Sequence, residues 1–282
     1  MPGFNIGKGE FYFSIFGNQK TIAMRILLTI LIATSLYGCN SSSKKDTNKA
    51  MDDTARMDNP PNSTTPVAIT PVKITAADIP ASIKVKGTVQ EVWKWSDNLG
   101  ENLLITAAVA PHDEKSKDGE EGQSAEIHAF HYAKKDGDYT QVWMMNDAEK
   151  LCPVDITCDF IPGSATVTDL DKDGIAEIKV QYSVACRGDV SPATMKLLMY
   201  ENGVKYALRG SMWIPYSPDL KYAVTENDVN LESSPMLKDE GDEMLRTFGR
   251  YENEKEFAAA PPGFLTYARS EWLKYNKEKL GE

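Results

Sequence analysis

The sequence predicts a mainly β protein. It is a β-rich α+β chain in which two diverged β-units build an antiparallel sheet or sandwich and an amphipathic helix closes the C-terminus. Three observations lead there. Short stretches alternate apolar with polar residues at the period of two expected of half-buried strands. Turn signals, Asp136-Gly137 and Asn202-Gly203, separate pairs of such stretches. After Pro261-Pro262-Gly263 the period changes, and Phe264, Tyr267, Ala268, Trp272 and Tyr275 fall on one helical face. With 282 residues, one or two domains are expected.

Residues 1–38 read as a targeting segment. Arg25 precedes an apolar run, Ile26 to Leu36, too short to span a bilayer as a helix but of the length of a signal-peptide h-region. The junction Leu36-Tyr37-Gly38-Cys39 resembles a bacterial lipobox. That resemblance implies Cys39 as the diacylated first residue of the mature protein; an ordinary secretory signal or membrane anchor is the alternative. Met24 is a candidate start, because residues 1–23 lack a compact n-region. Residues 39–71 are rich in Ser, Thr, Asn, Asp, Lys and Pro without periodicity. Such a stretch buries too little apolar surface to offset its ordering entropy, and it reads as a disordered, lipidated tether.

Residues 72–215 carry the strand signal. Ile83, Val85, Val89, Trp93 and Trp95 share one parity, interrupted by Glu91. A turn at Ser96–Asn102 leads into Leu103–Ala108, an acidic insert at His112–Gln123, and a hairpin of Glu126–Tyr132 with Tyr139–Met145 around Asp136-Gly137. The second half repeats this order: acidic loop 169–177, strand Ile178–Ala185, a polar connection Arg187–Ala193, then Met195–Tyr200 and Val204–Leu208. Two copies of a unit are too few for a propeller and suit a compact sheet or sandwich. Beyond Gly210 the strand signal fades. Residues 216–282 are predicted to be a helical extension packed on the β-domain, with Met244, Leu245, Phe248 and Tyr251 also at helical spacing.

The most informative stretch is Val167 to Ile178. Asp169, Asp171, Asp173 and Glu177 occupy loop positions one, three, five and nine, and Gly174 at position six permits a sharp turn with positive φ. That spacing converges the carboxylates, and the Ile175 carbonyl would complete an oxygen cage for a hard cation, Ca2+ above all. An EF-hand needs a bidentate Glu at position twelve, where Val180 stands, and strand periodicity follows instead of a helix. The stretch resembles the calcium loops of FG-GAP and VCBS-type β-repeats. An acidic β-turn with no ion is the alternative.

Cys152, Cys158 and Cys186 remain once Cys39 is lipidated, so one pair and one free thiol are expected in an oxidising compartment. The close pair Cys152/Cys158 is possible by spacing. The segments at Cys152-Pro153-Val154-Asp155-Ile156 and Cys186-Arg187-Gly188-Asp189 bracket the acidic loop. With Trp93–Asn102 and Lys205–Gly210, they resemble a poorly characterised family of bacterial lipoproteins called surface polysaccharide biosynthesis proteins. The resemblance runs from about Gln90 to Gly210. It implies a Cys152–Cys186 disulfide and a connection to surface glycans, but no catalytic residues.

Charge narrows the function. The chain is −10 overall, and residues 1–38 are net +2, so everything from Cys39 onward is −12. This acidity argues against nucleic acid and anionic lipid headgroups as partners. Of three histidines, His112 lies in the acidic insert, while His128 and His131, three apart on a strand, face opposite sides. Neither arrangement suits a metal site or a catalytic base. Carboxylate pairs for glycosidase chemistry cannot be picked out among 41 acids. Trp93, Trp95 and Trp143 could stack on sugar rings, but core packing is the commoner role. Arg187-Gly188-Asp189 matches an integrin tripeptide and reads here as a tight turn.

The resulting expectation is a lipid-anchored bacterial envelope or surface protein, held to the membrane by its lipid. Its calcium-braced body would bind a surface glycan or an envelope protein. An enzyme or accessory factor in surface polysaccharide biosynthesis is the alternative, implied only by the family resemblance.

Overall fold

The computed structural model describes residues 68–215, 221–234 and 243–279. Cys39, the signal segment and most of the tether lie outside the described residues. The described chain folds as two antiparallel sheets, with no helix long and apolar enough to cross a membrane. The first sheet runs in sequence order: β1 (Val72–Ile74), β2 (Thr88–Asp97), β3 (Gly100–Lys115), β4 (Glu121–Lys135) and β5 (Asp138–Cys152). The second is ordered β10-β9-β8-β6, from β6 (Asp155–Phe160), β8 (Glu177–Arg187), β9 (Thr194–Glu201) and β10 (Val204–Ser211), with β7 (Thr166–Thr168) also on β8.

β6 and β7 pair with successive lengths of β8: Phe160 faces Tyr182, and Thr166 faces Lys179. They act as one strand interrupted by residues 161–165, where the Ile161 N–H and the Ser164 hydroxyl both donate to the Gln181 carbonyl. Each sheet is therefore built around a four-strand meander with an acidic turn between its first and second strands. The order of acidic turn, strand and hairpin expected from the sequence is present in both, with one further strand ahead of each acidic turn.

The strand period explains the layers. Trp95, Leu104, Ile127, Ala129, Trp143 and Met145 of the first sheet meet Val167, Ile178, Val180, Tyr182, Leu198 and Tyr200 of the second to form the central core. The opposite parity of the first sheet, Val92, Leu103, Ile105 and Phe130, is covered by Ile79, Ile83 and Val85 from the segment between β1 and β2. The opposite parity of the second sheet, Met195, Leu197, Met199, Tyr206 and Leu208, packs on Tyr251, Phe257, Phe264, Ala268 and Trp272. Three of these last residues lie on α2 (Phe264–Tyr275), the helix expected from the aromatic stripe.

Three expectations change. The strand expected from Ile83 begins only at Thr88, and Ile83 and Val85 belong to the segment that covers the sheet. The insert at His112–Gln123 is not a separate loop: β3 and β4 continue through it as a projecting ladder, His112 facing Ser124 and Lys115 facing Glu121. A register shift after Val109 places Pro111 in the irregularity, where its missing N–H breaks no ladder bond. The helical spacing around residues 244–251 yields only α1 (Glu243–Thr247). Tyr251 instead makes backbone bridges to Gly210 and Asn230, and its ring is fully buried against Trp272. Tertiary pairing overrides the local pattern there.

Cys152 at the end of β5 is bonded to Cys186 on β8, joining the sheets across a sequence separation of 34. A loop of that length is worth about 3–4 kcal/mol in the chain-entropy model. Cys158 is a free, buried thiol facing the central core. Arg187 is tied to Glu278 and to the Ser191 carbonyl, and Asp189 accepts from the Ser191 N–H, so the Arg-Gly-Asp stretch is a braced turn.

β8 is buried on both faces, which brings a charge into the interior. Lys179 is 1% exposed and sits under α2. Its Nζ pairs with Glu271, donates to Gln181 Oε1 at 2.9 Å and lies over the Tyr275 ring at 5.0 Å. Burial depresses the Lys179 pKa from 10.5 to about 8, against the opposing pull of Glu271. Between those values the unfolded chain holds the proton and the folded protein has released it. The Lys179 contribution to stability therefore grows as pH rises through this window. Urea melts at pH 8 and pH 10 should show wild type gaining stability relative to Lys179→Met at the higher pH; a relative loss would show that the Glu271 attraction outweighs burial. Glu271→Gln, which strands the buried ammonium, should cost about 3–5 kcal/mol at pH 7.

Candidate metal centre

The acidic loop begins where β7 ends and finishes where β8 starts, so both of its ends are fixed by the ladder of Thr168 with Glu177. Within it the short acid side chains cap the backbone. Asp171 Oδ1 accepts from the Asp173 N–H at 3.2 Å, and Asp173 Oδ1 accepts from the Ile175 N–H at 2.7 Å. Lys172 and Gly174 adopt positive φ, 62° and 81°. A side chain at 174 would also meet Asn98 Nδ2 at 2.5 Å, so the glycine serves both the turn and a close approach.

Carboxylate oxygens of Asp169, Asp171 and Glu177 lie within 4.8 Å of one another, and a second set of Asp171, Asp173 and Glu201 meets the same limit. Asp171 belongs to both. The structure divides the four predicted acids between two sets that share Asp171, with Asp173 outside the set of Asp169 and Glu177, and Ile175 is half-buried on the same loop. It adds Glu201, which the sequence reading missed. Glu201 ends β9, well beyond the loop in sequence, and only the pairing of Ile178 with Tyr200 carries it there. The one sequence-level signal was an acid directly before the Asn202-Gly203 turn.

The electrostatics follow from crowding. Glu177 is fully buried, and its carboxylate accepts from Thr168 Oγ1 at 2.7 Å and from the Leu170 N–H at 2.9 Å. Burial nevertheless raises its pKa, and the Asp171 charge adds to this. Glu201 is pushed up to about 7, first by burial and then by Asp171, Asp173, Glu177 and Asp169. Asp169 Oδ1 and Glu201 Oε1 are buried oxygens without a hydrogen-bond partner. A metal ion among these oxygens would supply the missing positive charge, and these acids could hold one.

The loop is clamped from the other sheet. The turn between β2 and β3 lies against it: the Asn98 N–H donates to the Gly174 carbonyl at 2.8 Å, and Asn98 Nδ2 to the Asp173 carbonyl at 3.0 Å. Asp97 Oδ2 accepts from the Ala176 N–H and from Trp95 Nε1, while Oδ1 accepts from the Leu99 N–H and Asn102 Nδ2. Trp95 and Trp143 are buried in the central core, and Trp93 packs at its edge with its Nε1 on Glu91. His128 and His131 do point to opposite faces, His128 beside Phe130 outside and His131 between Trp95 and Trp143 inside.

Comparison with protein-family models, with curated proteins and with solved structures returns no match.

Asp97→Ala removes an acceptor from four N–H donors at once, with a charged group involved in each bond. A loss of about 3 kcal/mol is expected, lowering Tm by roughly 6–12 °C. The measurement is made with chelator present, so that cation binding plays no part. A change below about 2 °C would show that the clamp contributes little to folding.

Proposed function

We propose that this chain is a lipid-anchored bacterial envelope protein whose β-rich body holds calcium at the 169–177 loop and binds a surface glycan or an envelope protein. The observation that carries the metal part is the convergence of Asp169, Asp171 and Glu177 within 4.8 Å, with one buried oxygen of Asp169 itself and one of Glu201 in the adjoining set left unpartnered. Calcium is favoured over magnesium because its shell accepts six to eight oxygens in irregular geometry, including backbone carbonyls such as that of Ile175. Magnesium demands a near-octahedral shell and keeps its waters. The role is structural: the ion offsets repulsion among the acids and ties the start of β8 to the chain before it.

The anchoring part rests on the short apolar run behind Arg25 and on the Leu36-Tyr37-Gly38-Cys39 junction. The acidic body, carried on a polar tether, favours partners other than nucleic acid. The glycan part rests on the family resemblance of the segments around Cys152 and Cys186. An array of bacterial surface glycans, read for binding and for release of reducing ends, tests it: retention without cleavage fits a binding module, and cleavage would replace that reading with an enzyme.

At an affinity of roughly 0.1–1 mM, millimolar calcium stabilises the fold by on the order of 1 kcal/mol. Calcium should raise Tm by a few degrees and chelator should reverse this. Asp171→Ala, which breaks both carboxylate sets, should erase the difference; an unchanged calcium response in that variant would place the ion elsewhere. For the anchor, Cys39→Ser should abolish incorporation of a labelled fatty acid in a bacterial host, and undiminished labelling would remove the lipoprotein reading.

A further inference from the structure

Two polar side chains in the central core have an atom with no partner, and the two atoms are of opposite kind. His131 is 2% exposed and Trp143 is 7% exposed. They face each other on paired strands, since His131 of β4 is in register with Trp143 of β5, and their rings are 5.8 Å apart between centroids. His131 Nδ1 and Trp143 Nε1 are both buried without a hydrogen-bond partner.

The hydrogen-bond network assigns the histidine tautomer. Asn102 Nδ2 donates to Asp97 Oδ1 at 2.7 Å and to the Gly100 carbonyl at 2.9 Å. Both amide hydrogens are thereby used, and Asn102 Oδ1 is the atom that meets His131 Nε2 at 2.9 Å. An amide oxygen only accepts, so Nε2 must carry the hydrogen. Nδ1 is then a bare lone pair in the core. Burial lowers the His131 pKa to about 4, so the ring is neutral near pH 7 and Nδ1 stays an acceptor. The indole N–H of Trp143 can only donate. A buried acceptor and a buried donor on facing residues each lose their hydration on folding, and no hydrogen bond joins them directly across the tilted rings. One molecule that both donates and accepts satisfies both, and ordering it costs less than leaving two groups bare.

We infer that the core of the sandwich binds one water molecule between His131 Nδ1 and Trp143 Nε1, donating to the first and accepting from the second. Trp95 stacks on His131 and Tyr200 stacks on Trp143 at 4.0 Å, so both unpartnered atoms lie among aromatic rings. With the water in place, a hydrogen-bonded chain runs from Trp143 through His131, Asn102 and Asp97 to the Ala176 N–H of the acidic loop. It joins β5, β4 and β3 of one sheet to the loop of the other.

Nuclear magnetic resonance on the wild-type, full-length protein tests this without a variant. The long-range nitrogen–proton spectrum of His131 should show the Nε2–H tautomer, with the Nδ1 resonance moved upfield from that of a free unprotonated ring nitrogen. The Trp143 indole proton should show direct cross-relaxation to a water that is long-lived on the nanosecond scale. His131→Phe, which removes the acceptor and keeps a ring, should abolish that cross-peak. An Nδ1–H tautomer overturns the inference, as does a Trp143 indole proton with no water contact, or a cross-peak that survives in His131→Phe.

Discussion

The Asp97 carboxylate is the point on which the two sheets depend. Four N–H groups converge on its two oxygens: those of Trp95, Leu99 and Asn102 from its own sheet, and that of Ala176 from the other. Each of these donors is at a place where the β-ladder cannot reach, in a turn or on a side chain turned inward. A single carboxylate satisfies them because it offers about four acceptor positions and its charge strengthens every bond. The turn between β2 and β3 is thereby shaped and, in the same act, docked against the acidic loop. The corresponding turns of two similar meanders touch one another, so the pairing of the sheets is set at the end of the molecule that carries the acids.

The second sheet meets a different constraint. Its central strand, β8, has the core of the sandwich on one side and the C-terminal segment on the other. Glu177, Lys179 and Gln181 on the second side would face solvent in an open sheet, yet all three are buried. Each is matched to a partner that arrives from far along the chain or from the loop: Glu271 and its carbonyl for Lys179 and Gln181, Thr168 and the Leu170 N–H for Glu177. Buried charges of this kind add little net stability over an apolar equivalent, but they penalise any other placement of the partner. They fix where α2 lies, whereas the aromatic stripe of α2 gives it a reason to bind at all.

The acidic centre gains its character from these two constraints together. The ladder of β7 with β8 fixes the ends of the loop, the Asp97 turn clamps its middle, and β9 delivers Glu201. Acids held together by the rest of the fold repel one another and lose hydration. The raised pKa values of Glu177 and Glu201 express that tension as an affinity for a proton. A divalent cation would relieve the same tension more completely, since it would bind several oxygens at once and bring two charges rather than one.

Much of this was legible in the residues alone. The period of two in β3, β4, β8 and β9, the Asp-Gly and Asn-Gly turns, and the one-three-five-nine spacing of acids around Gly174 are local facts, and local sterics and patterning determine their outcome. The stripe of α2 is legible for the same reason. The pairing of Cys152 with Cys186 was implied by resemblance, and the spacing of three cysteines left it open until the sheets were placed. Other features have no local signature. Glu201 joins the acids only because β9 pairs with β8, and Lys179 is an interior residue only because α2 covers it. The insert at residues 112–123 looks like a loop by composition, yet it extends a ladder already nucleated on both sides. Tyr251 looks helical by spacing, yet its backbone serves β10. Sequence determined the longer strands, the turns and the acidic loop, because each depends on residues a few positions apart, while the short β1, β6 and β7 exist only by pairing with distant neighbours; tertiary structure alone decided which charges are buried and which acids meet, because burial and convergence are properties of neighbours that the chain brings together from a distance.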